Sequence, residues 1–108
     1  MTIDNMQVIA IEEHYLDSEV DELMGKRGGG GPAIREKLAD LGELRIKEMD
    51  EAGIDIQVLS HCPQGAQAFA EDTAVGLATR VNDRLKEVVD GRPDRFAAFA
   101  TLPTQAPK

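Results

Sequence analysis

The stretch QVIAIEEHYLD, Gln7–Asp17, is the one on which the fold turns. Val8, Ile9, Ala10 and Ile11 are apolar without alternation, as in a parallel strand covered on both faces. Gln7–Ile11 is therefore expected to be a first strand, and Glu12, Glu13 and His14 crowd its end. In a regular strand alternate side chains share a face, so Glu12 and His14 point one way, about 7 Å apart along the backbone, and Glu13 the other. A carboxylate and an imidazole so placed can converge on one divalent metal at about 2.0–2.2 Å. The plainer alternative is a strand-end histidine flanked by solvated glutamates. Spacing alone does not separate the two, because a catalytic centre of this kind takes three protein ligands.

Outward from that stretch, Leu16–Pro32 is acidic and then glycine-rich, and four successive glycines carry too much backbone entropy for a helix or strand, so a mobile loop is expected. Within it, GKRGGGG resembles a phosphate loop only superficially: Lys26 precedes the glycines and no Gly-Lys-Ser/Thr opens a helix. A flexible segment able to serve as a lid is the expectation. Pro32 then opens a helix with Ile34, Leu38, Leu41, Leu44 and Met49 on its apolar positions, Gly42 as a weak point and Gly53 as its stop. Its charged surface reads as a solvated face with pairs such as Glu43 and Lys47.

Ile54–His61, IDIQVLSH, repeats the apolar run and ends before a Pro-Gln-Gly turn. His61, at the end of this second strand, is a candidate for lining a substrate pocket, beside the ordinary reading of a satisfied loop histidine. From Glu71 to Asp90, Ala74, Leu77, Ala78, Val81, Leu85 and Val88 recur at helical spacing opposite Asp83, Arg84 and Glu87. RFAAFATLP supplies a third short strand. Strand, helix, strand, helix, strand indicates an α/β sheet of three parallel strands joined by right-handed crossovers. Such a sheet has two open edges and too few helices for both faces, so it either oligomerises or opens a larger α/β domain.

Composition narrows the function classes. Among 108 residues, 12 are Lys or Arg against 20 Asp or Glu, and the net charge of −8 repels a phosphate backbone, which argues against nucleic acid. Cys62 is the single cysteine and is expected as a free thiol in a reducing compartment. No apolar run approaches the roughly 20 residues that span a bilayer, and MTIDNMQ lacks a signal-peptide pattern, so a cytoplasmic protein without a membrane partner is expected.

Three stretches in order, VIAIEEHY, then R-x-x-x-MDEAGIDIQVLSHCPQGAQ from Arg45, then RVNDRLKEVVDGRPDRFAAFATLP, together resemble the metal-dependent amidohydrolase superfamily. The likeness is to the amidohydrolase-2 branch, with nonoxidative aromatic-acid decarboxylases such as those for γ-resorcylate and 2,3-dihydroxybenzoate. It covers nearly the whole chain. The resemblance implies a (β/α)8 TIM barrel, incomplete here, with residues 1–108 as the N-terminal portion of one domain: a barrel typically needs about 250 residues. It further implies that Glu12 and His14, matching the branch's Glu-x-His, are ligands of a divalent Zn or Mn ion. A later histidine and aspartate would complete the site, with another histidine and an arginine on the substrate, all beyond Lys108.

The implied activity is decarboxylation of a hydroxy-aromatic acid by an intact homo-oligomeric enzyme, with these 108 residues inactive alone. An aromatic or cyclic carboxylate would be the partner. Hydrolysis of an amide, ester or lactone at the same metal is the alternative. A non-catalytic acidic module binding through its sheet edges is a third reading. His61 and Cys62 stand where relatives often carry small polar residues, which bears on substrate identity.

Overall fold

A computed structural model describes residues 6–25, 31–63 and 65–107. In chain order it contains β1 (Ile9–Tyr15), α1 (Ser18–Leu23), α2 (Pro32–Ala39), α3 (Glu43–Ala52), β2 (Ile56–His61), α4 (Glu71–Gly91) and β3 (Phe96–Ala98), with a short 3-10 turn at Ala66–Ala68. The strands form one sheet in the order β1-β2-β3, parallel throughout, as the alternation of strands and helices predicts. β1 continues through the polar cluster to Tyr15 rather than stopping at Ile11.

The β1–β2 crossover departs from expectation in two places. Leu16–Pro32 is not all loop: the Asp17 carboxylate accepts the backbone N–H groups of Glu19 at 2.9 Å and Val20 at 3.2 Å, capping α1. Val20 packs into a small core with Leu77 and Val81, so a buried anchor and an N-cap outweigh the acidic composition. The glycine-rich residues 28–30, and with them any lid at 26–30, lie outside the described residues. Second, the helix expected from Pro32 to Gly53 is two. Gly42 takes a non-helical conformation, and the Asp40 carboxylate accepts the N–H groups of Gly42 at 2.8 Å and Arg45 at 3.3 Å, so the chain stops and restarts there. Gly53 closes α3 at φ 74°, a left-handed position that suits glycine. On the surface of α3, Lys47 pairs with Glu51 rather than with Glu43.

The main core joins Tyr15, Met49, Leu59, Leu85 and Phe96, one or more from each strand and from α3 and α4. α4 behaves as its periodicity predicts, burying Ala74, Leu77, Ala78, Val81 and Leu85. Full burial of a side chain such as Leu59 is worth about 1.5–3 kcal/mol. Arg45 fastens the crossover to the sheet from within: its guanidinium donates to Gln57 Oε1 at 3.1 Å and to the carbonyls of Asp40, Lys37 and His14 at 2.7, 3.0 and 3.2 Å. α3 and α4 pack on one face of the sheet; on the other, Ile9 and Ile11 are exposed.

Candidate metal centre

β1 is not a regular strand at the site. Ile9 and Ala10 pair with Ile56 and Gln57, but Glu13, His14 and Tyr15 pair with Leu59, Ser60 and His61, so β1 takes three steps where β2 takes two. The extra residue is a β-bulge, and within it Glu12 has φ 61°, the one positive φ outside glycine among the described residues. Unbroken alternation would put Ile9, Ile11, Glu13 and Tyr15 on one face. Instead Ile9 and Ile11 are exposed and Tyr15 is buried against the helices, because the bulge reverses parity midway. The simple two-residue spacing argument for Glu12 and His14 is thereby corrected. Both are exposed near the C-terminal end of β1, but a bend with a left-handed residue separates them rather than one straight pleat. That conformation costs a non-glycine residue about 1–2 kcal/mol. Such strain persists where surrounding structure over-determines it, often at functional sites.

His14 is held on two sides. Its carbonyl accepts from Arg45 Nη2, and its Nδ1 lies 3.3 Å from the hydroxyl of its register neighbour Ser60. Glu13 turns to the helix side, beside Arg45, whose guanidinium pKa burial lowers although the nearby Glu13 charge acts to raise it.

His61 sits at the end of β2 and lines a cavity of about 260 Å³ with Ser60, Cys62, Gly65, Phe99 and Thr101. Its ring nitrogens are both engaged by backbone: Nε2 accepts the Asp17 N–H at 3.0 Å, and Nδ1 contacts the Cys62 carbonyl at 2.9 Å. Those roles require the Nδ1–H tautomer. Burial pushes its pKa down, keeping the ring neutral, and the Tyr15 ring meets it edge-on at 5.1 Å. Gly65 is needed there, since a Cβ would come within 3.0 Å of Thr101 Oγ1 and 3.2 Å of His61 Nδ1. Cys62 is a half-buried free thiol whose pKa burial raises.

No protein-family model matches the chain. A γ-resorcylate decarboxylase of Polaromonas sp. (strain JS666) is 39% identical over 105 residues, covering 93% of this chain and 32% of that protein. The relatives of this chain include further γ-resorcylate decarboxylases, one from Rhodococcus jostii at 37% identity. Among solved structures, a 2,6-dihydroxybenzoate decarboxylase complexed with 2,6-dihydroxybenzoate superposes with a TM-score of 0.81 at 36% identity, over 94% of this chain and 33% of that one. The 5-carboxyvanillate decarboxylase of Novosphingobium aromaticivorans, complexed with manganese and 4-hydroxy-3-methoxy-5-nitrobenzoic acid, gives 0.86 at 30% identity, over 94% and 35%. The chain spans about a third of the length of these decarboxylases, and its three parallel strands with their helices are part of a TIM barrel.

Against the decarboxylase relatives, the donors at the end of β1 suit a divalent ion. Glu12 offers a carboxylate, and the contact at Nδ1 of His14 leaves Nε2 to face a ligand. Among the described residues no cluster of three or more His, Cys, Asp or Glu side chains forms, so the pair offers two donors and not a closed site. His61 stands apart from the pair in chemistry, its nitrogens spent on backbone.

Sequence reasoning missed the charged network beneath these strand ends. Arg84 on α4 grips the Asp17 carboxylate through Nε at 2.8 Å and Nη2 at 2.9 Å and also reaches Glu19 at 2.8 Å, which Arg80 holds from its other side. Arg84 is therefore not the simply solvated charge its position opposite the apolar stripe implies. Hydrogen bonds from Arg80 and Arg84 push the Glu19 pKa down to about 2. Burial alone would raise that of Asp17, but Arg84 and the cap N–H groups outweigh it and hold it low. Partners more than 60 residues apart leave no local signal.

Proposed function

We propose that this chain is the N-terminal portion of a single (β/α)8-barrel domain that decarboxylates a hydroxy-aromatic carboxylic acid without oxidation. In this reading Glu12 and His14 supply two of the ligands of a divalent Zn or Mn ion, and the remaining ligands and acid–base groups come from later strands. The observation that carries it is the bulge at Glu12, a strained residue at the ligand-binding end of a parallel strand, in a chain homologous to γ-resorcylate decarboxylases.

When bound, the ion supplies a Lewis acid that orients the carboxylate and a neighbouring hydroxyl and stabilises developing negative charge. The residues of this chain do the holding. The Glu12 carboxylate and His14 Nε2 are the donors, and Arg45 pins the His14 carbonyl so that the backbone between them keeps its bend. The cavity bounded by Ser60, His61 and Phe99 is linked to the pair through Ser60, the register neighbour of His14, and would take the aromatic ring. His61 shapes that cavity as a neutral wall and moves no proton, its ring nitrogens being bound to backbone.

The experiment is a product assay on the intact manganese-loaded protein. Carbon dioxide release from 2,6-dihydroxybenzoate or 5-carboxyvanillate is the expected result. Cleavage of a lactone or amide with no carbon dioxide from either acid would move the function to the hydrolase alternative.

A further inference from the structure

We propose that Ser60 is a positioning residue for His14, holding its ring so that Nε2 faces the metal; the inference rests on the reading of Glu12 and His14 as ligands. Three observations carry it. Ser60 is the direct register neighbour of His14 across the β1–β2 ladder. Its Oγ lies 3.3 Å from His14 Nδ1. Its backbone is fixed on both sides, by Leu59, fully buried in the core, and by His61, tied to Asp17 and Cys62.

A neutral imidazole carries its proton on one nitrogen, and the hydrogen bond at the other position decides which nitrogen is left to coordinate. With Nε2 on a metal, Nδ1 carries the proton, which the Ser60 hydroxyl would accept, stopping the ring from turning about its χ2 bond. Ligating histidines generally need such a partner, and removing it typically costs 10–100-fold in metal affinity. Arg45 already holds the His14 backbone, so the ring torsion is the freedom left for Ser60 to remove. The bulge adds to the need: Glu12 is set by its own strained backbone, and a wandering imidazole two residues on would waste that placement.

The test compares Ser60→Ala, Ser60→Thr and His14→Ala in the intact protein, with Mn²⁺ affinity measured by chelator competition and folding by the melting temperature. Ser60→Ala should weaken Mn²⁺ binding about 10–100-fold at an unchanged melting temperature. Ser60→Thr, which keeps the hydroxyl, should restore most of the affinity. Wild-type affinity in Ser60→Ala, with Mn²⁺ lost in His14→Ala, would overturn the role of Ser60 while leaving the ligand pair standing. Wild-type affinity in His14→Ala would overturn the ligand reading and this inference with it.

Discussion

On the helix-covered face of the sheet Tyr15, Leu59 and Phe96 keep 2%, 0% and 2% of their surface exposed, while on the opposite face Ile9 and Ile11 keep 53% and 67%. The same short strands feed both faces, so the contrast comes from what covers them rather than from composition. Parallel strands are apolar on both sides because both sides are normally buried. The covered face holds the chain together through α3 and α4. The open face carries the proposed metal donors, with His14 and Ser60 side by side at the C-terminal end of the strands and Glu12 in the bulge beside them. The bulge links the two: by reversing parity it sends Tyr15 inward as a core anchor and leaves His14 outward.

Substitutions can break that contrast. Leu59→Ala should cost about 2–5 kcal/mol in urea unfolding, whereas Ile11→Ala in the 108-residue chain should stay within about 0.5 kcal/mol. In an intact barrel the Ile11→Ala cost should rise towards that of Leu59→Ala, and equal costs already in the short chain would show that something covers the open face there.

Arg45→Ala, next in size, should cost about 3 kcal/mol, because Gln57 and the carbonyls at the ends of α2 and β1 lose a buried donor. Arg45→Lys should recover only part of this, since an ammonium cannot span the same fork of acceptors. Full recovery by lysine would reduce Arg45 to a point charge.

The Asp17–Glu19–Arg84 network predicts a smaller, acid-sensitive contribution. Both carboxyls sit below their ordinary pKa values, so the stability they give is complete above the ordinary Glu value of 4.5 and is lost as pH falls towards the folded Glu19 value of about 2. Arg84→Met should flatten the stability profile between those limits, and an unchanged slope would remove the network from the account. A small effect of opposite sign is expected at Glu12: without metal, Glu12→Gly should be neutral or stabilising by up to about 1 kcal/mol, since glycine accepts φ 61° without strain.

The legible parts were those with short-range causes. The stripe on α4, the apolar runs of β2 and β3 and the glycine at the end of α3 all follow from spacing, and the parallel order follows from alternation. The break at Asp40–Gly42 and the cap at Asp17 had local signals that composition masked: an Asx residue before glycine in one case, an Asp before an acidic first turn and Val20 in the other. The bulge had none, because nothing in IAIEEHY marks a residue for left-handed backbone. Pairs such as Arg84 with Asp17 exist only once the crossover is closed. Glu12 and His14 were thus legible as a donor pair in the sequence, while the bend between them was not.

Metal content of the intact protein with Glu12 and His14 both replaced by alanine tests the central claim most directly. The account predicts that Mn or Zn, bound stoichiometrically by the unaltered protein, falls to a small fraction in the double variant while the helix content and the core around Tyr15 and Leu59 stay intact. Unchanged metal stoichiometry in a folded double variant would contradict it.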